Sequence, residues 1–202
     1  MNSPFTDLST AAAVFVATDI DDLVLLTALF GNARMSRGAI VGGQFLGIAV
    51  LVAASAAAAF AALTVPAHWP SLLGAIPLAM GLWKLPALWR GPAADDDAEV
   101  KDLASRGGAA HSQVLAVAAV TIANGGDNLA VYIPLFARDP AVLPLYALAF
   151  AVMTAVWCAA GHAFVRHPAG AALMRRWGHA ILPVVLIALG ASILWDARYL
   201  LS

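Results

Sequence analysis

The chain has 202 residues, of which 62% are hydrophobic and only 11% are charged, and its formal net charge is −1. A soluble domain carries about 25% charged residues, so this chain has too few charges to form a solvated shell. Lipid must therefore be the solvent for most of its surface. The near-zero net charge gives no reason to expect a nucleic-acid partner.

A transmembrane helix needs about 20 mostly apolar residues. Six stretches meet this requirement, in chain order 8–30, 38–64, 71–90, 113–136, 140–166 and 178–198. The longest gap between them carries a run of acidic residues, which is typical of a solvated loop. We predict an all-α polytopic membrane protein with a three-helix repeat over 1–90, an acidic loop over 91–112 and a second three-helix repeat over 113–202.

Lys and Arg residues in the short loops predict the orientation, because cytoplasmic loops carry an excess of them. One side of the predicted topology has eight of the 11 and the other side has two, while Lys84 lies inside the third span. The eight are Arg34, Arg37, Arg90, Lys101, Arg106, Arg166, Arg175 and Arg176. We expect this side, with the acidic loop, to be cytoplasmic and both termini to face outward.

The chain matches itself when it is shifted by 106 residues. Residues 11–30 laid on 117–136 give eight identities in 20 positions, including Asp21 on Asp127, and the same offset aligns prolines of the third and sixth spans. Because each copy has three spans, the second copy must enter the membrane from the opposite side. Inverted repeats are typical of transporters, which bind substrate near the midplane where the copies meet.

Three carboxylates, those of Asp19, Asp21 and Asp22, lie near the middle of the first span and follow Thr18. Each costs about 2.5–3.5 kcal/mol at a helix centre on the insertion scale. Three such groups together need bound cations, protons or a water-filled cavity facing the protein interior.

The fourth span carries a polar segment at the same depth. Gly125 and Gly126 weaken the helix there, and an unwound turn would free carbonyl ligands, which is tolerated only where backbone lines a cavity. On an unbroken helix Asn124 and Asn128 would share a face, with Asp127 between them. The repeat predicts that Asp127 approaches Asp21 across the interface of the two copies.

Carboxylates together with Asn and Thr oxygens form a hard-oxygen site of high negative charge, which suits a divalent cation such as Mn²⁺, Ca²⁺ or Cd²⁺. The predicted ligands are Asp21, Asp22, Asn124, Asp127 and Asn128, and the secondary candidates are Thr18, Asp19, Thr121 and Gly125. Cys158 and His162 are one turn apart on the fifth span and would add soft ligands.

The second span contains a G-x-x-x-G spacing, formed by Gly43 and Gly47, which permits close helix contact. It predicts packing within the chain or, alternatively, a homodimer. Gln44 lies between these glycines, but the repeat pairs it with Phe150, so it is not predicted to belong to the site.

The segments Thr18–Asp22 and Thr121–Asn128, the latter followed by Tyr132-Ile133-Pro134-Leu135-Phe136, resemble those of the cadmium-resistance transporter family of the lysine-exporter superfamily. The resemblance covers nearly the whole chain. It implies a small bacterial inner-membrane protein that removes Cd²⁺ or a similar cation from the cytoplasm. It also implies site roles for Asp21, Asp22, Asn124, Asp127 and Asn128. The family usually has Asn or Ser where this chain has Asp19, and the extra charge favours a harder ion.

These observations predict a secondary transporter that exports a divalent cation by alternating access. No nucleotide-binding motif is present, so an ion gradient or the membrane potential must drive transport, and protons are the expected coupling ion. No resident cofactor and no enzymatic activity are expected. The alternative substrate is a small organic cation or an amino acid, for which aromatic pocket residues should surround the carboxylates.

Overall fold

The computed structural model describes residues 4–64, 75–86 and 110–167, with isolated positions between 184 and 195. Within these ranges the chain is helical and has no strand, which confirms the all-α prediction for this part. The helices are α1 Pro4–Thr18, α2 Ile20–Gly31, α3 Arg37–Ala62, α4 Ala75–Lys84, α5 Ala110–Asn124, α6 Gly126–Arg138 and α7 Leu143–Phe164, the last preceded by a 3₁₀ turn over Pro140–Val142. Most of the predicted acidic loop and of the sixth span lies outside the described residues.

Two helices are long and apolar enough to cross a bilayer. They are α3, with 26 residues and a mean hydropathy of 2.3, and the unit Pro140–Phe164, with 25 residues and a mean hydropathy of 2.0. The pair α5 and α6 qualifies as a third span if it is counted as one segment, bent by 68°. These helices coincide with the second, fourth and fifth predicted spans. In the described part of the chain they are the helices of a multi-pass membrane protein.

The two segments that carry the polar residues, predicted as the first and fourth spans, are each broken near the centre. Asp19 separates α1 from α2 with φ −106° and ψ 19°, and Gly125 separates α5 from α6 with φ −73° and ψ 18°. The Gly125-Gly126 pair predicted the second break, whereas nothing in the sequence predicted the first. The break at Gly125 places Asn124 and Asn128 on different helices, so the shared face expected of an unbroken helix does not form.

The helix starts follow the 106-residue offset found in the sequence. Among the described helices, two starts in the second half lie 106 residues after their counterparts, in the pairs Ile20 and Gly126, and Arg37 and Leu143. The long helices pack mainly against the opposite half of the chain. Helix α3 packs against α5 and α6, and helix α7 packs against α1 and α2. The third helix of each half therefore lies on the broken helix pair of the other half.

Two glycines bring α3 close to α5. A Cβ added at Gly43 would lie 2.5 Å from Cβ of Val117, and one added at Gly47 would lie 2.5 Å from Cβ of Thr121. Small residues are what permit such close helix contact in a membrane. The G-x-x-x-G spacing thus serves packing within the chain, and it places Gln44 beside α5.

An aromatic cluster packs next to the break at Asp19. Tyr132 stacks on Phe150 with ring centroids 4.6 Å apart, and Phe15 meets Phe150 and Trp157 with centroids 5.6 Å apart. Tyr132, Phe15 and Phe150 are all fully buried. These rings join α1, α6 and α7, and they hold the polar ends of Tyr132 and Trp157 toward Asp19.

Candidate functional site

Asp19 is the centre of a buried hydrogen-bond network at the break between α1 and α2. The hydroxyls of Thr18 and Tyr132 each donate to Oδ2 at 3.0 Å, and Asn128 Nδ2 donates to Oδ1 at 3.0 Å. Trp157 Nε1 donates to the Asp19 backbone carbonyl at 2.6 Å. Asp19 is fully buried, and burying a carboxylate requires such partners.

Asn128 is held by one end of its side-chain amide. Its nitrogen donates to Asp19, while its oxygen Oδ1 is buried without a hydrogen-bond partner in the described part of the chain. An unsatisfied buried acceptor costs about 1–3 kcal/mol, so native structures rarely leave one without a reason. Asn128 Oδ1 is therefore a buried oxygen that is available to accept from a donor or to bind a cation.

A second network links the two halves through α3. Gln44 Nε2 donates to Asp22 Oδ2 at 2.6 Å, and the Thr121 hydroxyl donates to Gln44 Oε1 at 2.8 Å. All three side chains are buried. Asp22 lies on α2 and Thr121 on α5, so Gln44 connects the two broken helix pairs at the level of their breaks.

The carboxylates of the site act on one another. Asp22 lies close enough to both Asp19 and Asp127 for their charges to repel, and Asp21 acts on Asp19 in the same way. Asp22 and Asp127 are buried, whereas Asp21 is half-buried. The predicted approach of Asp21 to Asp127 stays a prediction.

Asp21 and Asp127 make the same local contact on their two helices. Asp21 Oδ1 accepts the Asp22 backbone N–H at 3.0 Å, and Asp127 Oδ1 accepts the Asn128 backbone N–H at 3.1 Å. Both donors belong to the first turn of a helix that starts at a break, where backbone N–H groups lack partners within the helix. The side chains of Asp21 and Asp127 are therefore held by the same type of hydrogen bond at equivalent positions of the two halves.

Asn124 and Gly125, the remaining predicted ligands of the fourth span, lie outside the two hydrogen-bond networks. Asn124 is half-buried at the end of α5. The Gly125 carbonyl already accepts the Leu129 N–H at 3.0 Å, as the Asp19 carbonyl accepts the Leu23 N–H at 3.3 Å. In the described part of the chain, no three His, Cys, Asp or Glu side chains are grouped closely enough to hold a metal ion by themselves. A cation at this site would need amide, hydroxyl or carbonyl oxygens as well.

Cys158 and His162 lie on the face of α7 that meets α2. Cys158 is a buried free thiol within the apolar cluster that includes Leu26 and Leu29. The His162 ring packs edge-on to Phe30 at 5.3 Å, and its Nδ1 is buried without a hydrogen-bond partner in the described residues. These contacts place the pair in apolar packing beside α2.

Three residues that contact the site were not predicted to belong to it: Gln44, Tyr132 and Trp157. Gln44 carried a usable signal, because an amide in an apolar span must find a partner, but its repeat counterpart Phe150 is apolar. Tyr132 stood out only as part of the segment that resembles the transporter family, and Trp157 carried no signal, since aromatic residues with a polar end are common in membrane helices.

Long apolar helices, together with broken helix pairs that carry buried carboxylates next to their breaks, are typical of a multi-pass membrane protein. The family model described as "Cadmium resistance transporter" matches residues 15–200. The match includes both breaks and both hydrogen-bond networks, and the chain belongs to this family of transporters. No curated protein and no solved structure matches the chain.

Proposed function

We propose that this protein exports a divalent metal cation, Cd²⁺ or a similar ion, from the bacterial cytoplasm across the inner membrane. The observation that carries the proposal is Asn128 Oδ1, a buried oxygen without a partner, in a site that also contains the buried carboxylates of Asp22 and Asp127. Oxygen ligands with excess negative charge suit a divalent cation and would repel an anion. The family description agrees with a metal substrate.

The cation would bind between the two broken helix pairs. Asp21 and Asp22 would supply charge from the first half, Asp127 from the second half, and Asn124 and Asn128 would supply amide oxygens. Because these carboxylates repel one another, an arriving divalent cation would stabilise their charged forms. The hydroxyl of Thr121 reaches the site through Gln44, which favours a positioning contribution for Thr121.

Six spans arranged as two inverted repeats are the architecture we propose for transport, with the repeats over 1–90 and 113–202. The shared 106-residue offset of the helix starts supports it. The packing of α3 and α7, each against the broken helix pair of the other half, supports it as well. In such proteins one repeat rocks against the other around a fixed central site. Membership of the lysine-exporter superfamily fits this arrangement.

Protons are the coupling ion that we propose. The chain has no nucleotide-binding motif, so the energy must come from an ion gradient or the membrane potential. Carboxylate ligands bind metal in their deprotonated form, so metal binding releases any protons that they carry. Export then follows if protons enter the emptied outward-facing site and leave inside when metal displaces them.

A small organic cation or an amino acid is the alternative substrate, and one observation favours it. Tyr132 and Trp157 lie beside Asp19, as expected of a site for a larger substrate. Both, however, use their polar atoms on Asp19, and Tyr132 is fully buried against Phe150. A larger substrate would have to displace these side chains, so the packing favours a small ion.

The test is thermal stabilisation of the purified protein by a panel of chloride salts containing Cd²⁺, Zn²⁺, Mn²⁺, Ca²⁺ and Mg²⁺, together with lysine and choline. A ligand present at 100 times its Kd stabilises the folded state by about 2.7 kcal/mol. We expect stabilisation by at least one divalent cation, and its loss in Asp127→Asn. Stabilisation by lysine or choline alone would favour the alternative, and stabilisation by none of them would contradict the proposal.

A further inference from the structure

Asp19 is clamped by donors from three helices. Its carboxylate accepts from Thr18 of α1 and from Asn128 and Tyr132 of α6, all at 3.0 Å, and its backbone carbonyl accepts from Trp157 of α7 at 2.6 Å. Both carboxylate oxygens are thus directed at protein donors, and the side chain is fully buried. These three donors take three of the about four lone-pair positions of the Asp19 carboxylate, so Asp19 is held more tightly than Asp22, whose carboxylate accepts from Gln44.

The same contacts fix the orientation of the Asn128 amide. A side-chain amide has a donor end and an acceptor end, and a carboxylate can accept only, so Asp19 selects the NH₂ end of Asn128. The oxygen is thereby turned away from Asp19, and it is buried without a partner within the described residues. With the amide rotated by half a turn, the NH₂ group would take the place of this oxygen and would repel a cation.

We infer that Asp19 is a positioning residue, whose carboxylate holds the Asn128 amide with its oxygen toward the transported cation and does not itself bind the cation. The inference rests on the proposed function. It assigns Asp19 a different role from Asp22 and Asp127, which share its burial and lie in the same charged cluster. It also states that the effect of Asp19 on cation binding passes through one residue, Asn128.

A double-mutant cycle separates positioning from direct binding. Cadmium chloride and manganese chloride are titrated calorimetrically into purified wild type, Asp19→Leu, Asn128→Leu and the double variant in detergent. Loss of an outer partner that orients a ligand usually costs about 10- to 100-fold in metal affinity, and we expect a loss of this size for Asp19→Leu. In the Asn128→Leu background the same change should add no more than about twofold, which is the usual scatter of such cycles.

Asp19→Asn provides the conservative comparison. Its amide oxygen can still accept from Asn128 Nδ2, so a positioning residue should lose much less affinity in this variant than in Asp19→Leu. A direct ligand would instead lose its charge in both variants and should lose comparable affinity in both. Its loss would also appear in full in the Asn128→Leu background, and either result overturns the inference.

Each variant must be monodisperse and unfold cooperatively without metal before its affinity is compared. If Asp19→Leu does not fold, Asp19→Asn measured with Asn128 present and with Asn128→Leu completes the cycle, and equal losses in the two backgrounds overturn the inference. Wild type that binds Cd²⁺ or Mn²⁺ with an additive cycle removes the inference alone. Wild type that binds neither ion contradicts the proposed function and the inference together.

Discussion

Trp157 donates its indole N–H to the backbone carbonyl of Asp19 at 2.6 Å. The residues at the equivalent positions of the other half also lie against each other. The residue 106 positions before Trp157 is Leu51, and the residue 106 positions after Asp19 is Gly125. The side chain of Leu51 occupies the space where a Cβ on Gly125 would lie. The third helix of each half thus covers the break of the other half, once by a hydrogen bond and once by apolar contact.

Trp157→Phe should weaken the packing of α7 against the break at Asp19. Phenylalanine keeps the ring packing against Phe15 but removes the indole donor, and the loss of one hydrogen bond costs about 1 kcal/mol. We expect a lower thermal midpoint in detergent and slower transport. Trp83→Phe is the matched control, because Trp83 is 80% exposed on α4, and a decrease of equal size in that variant would contradict the assignment.

Asp127→Asn should abolish transport while the protein stays folded. Asp127 is buried in the first turn of α6, and removal of a charge at membrane depth does not oppose insertion. Flux is measured in vesicles, with Asp139→Asn as the control, since Asp139 is exposed at the other end of α6. Wild-type flux in a well-folded Asp127→Asn protein would exclude Asp127 from the pathway.

Gln44→Leu should destabilise the protein and weaken cation binding. The substitution removes the amide N–H that donates to Asp22 and the amide oxygen that accepts from Thr121. A buried polar group that loses its partner lowers the stability of the folded state by about 1–3 kcal/mol. Ser55→Ala on the same helix is the control, because Ser55 Oγ is buried without a hydrogen-bond partner in the described residues. We expect this control to leave the thermal midpoint unchanged or to raise it, and similar losses in both variants would argue against a special role for Gln44.

The sequence predicted the long helices well because apolar length is a direct signal. The predicted span 38–64 corresponds to α3, Arg37–Ala62, and the predicted span 140–166 corresponds to the unit Pro140–Phe164. The break at Gly125 was predictable as well, since adjacent glycines weaken a helix. The break at Asp19 was not, because the residues around it include neither Gly nor Pro.

The partners within the site could not be predicted, since they depend on packing between distant helices. Gln44 meets Thr121 across 77 residues, and Trp157 meets Asp19 across 138 residues. The repeat is a poor guide to the role of Gln44, because positions that are equivalent in the backbone carry different chemistry. Gln44 is equivalent to Phe150, and that phenylalanine supports the site by stacking on Tyr132 rather than by bonding to a carboxylate.

The orientation prediction is tested by labelling introduced cysteines with an impermeant reagent in intact cells. Cys158 is the single native cysteine and is buried, so Cys158→Ala provides the background. Ala98→Cys, in the acidic loop, should be labelled only after the membrane is opened, because the excess of Lys and Arg places that loop in the cytoplasm. Asp139→Cys, at an exposed position of the opposite side, should be labelled from outside, and the reverse pattern would invert the topology.

Metal binding should release protons. Asp22 lies in the interior of the protein within range of the charges of Asp19 and Asp127, so protons or a cation must balance these groups at membrane depth. A divalent cation replaces the protons, because carboxylates ligate metal in the deprotonated form. Affinity should therefore decrease as pH decreases, and the apparent binding enthalpy should depend on the ionisation enthalpy of the buffer.

Calorimetric titration of the purified protein with cadmium chloride in phosphate and in Tris, at about pH 5.5 and about pH 8, measures both effects. Equal affinities at the two pH values together with equal enthalpies in the two buffers would mean that no protons are exchanged. The membrane potential alone would then have to drive export, with the carboxylates serving as permanently charged ligands.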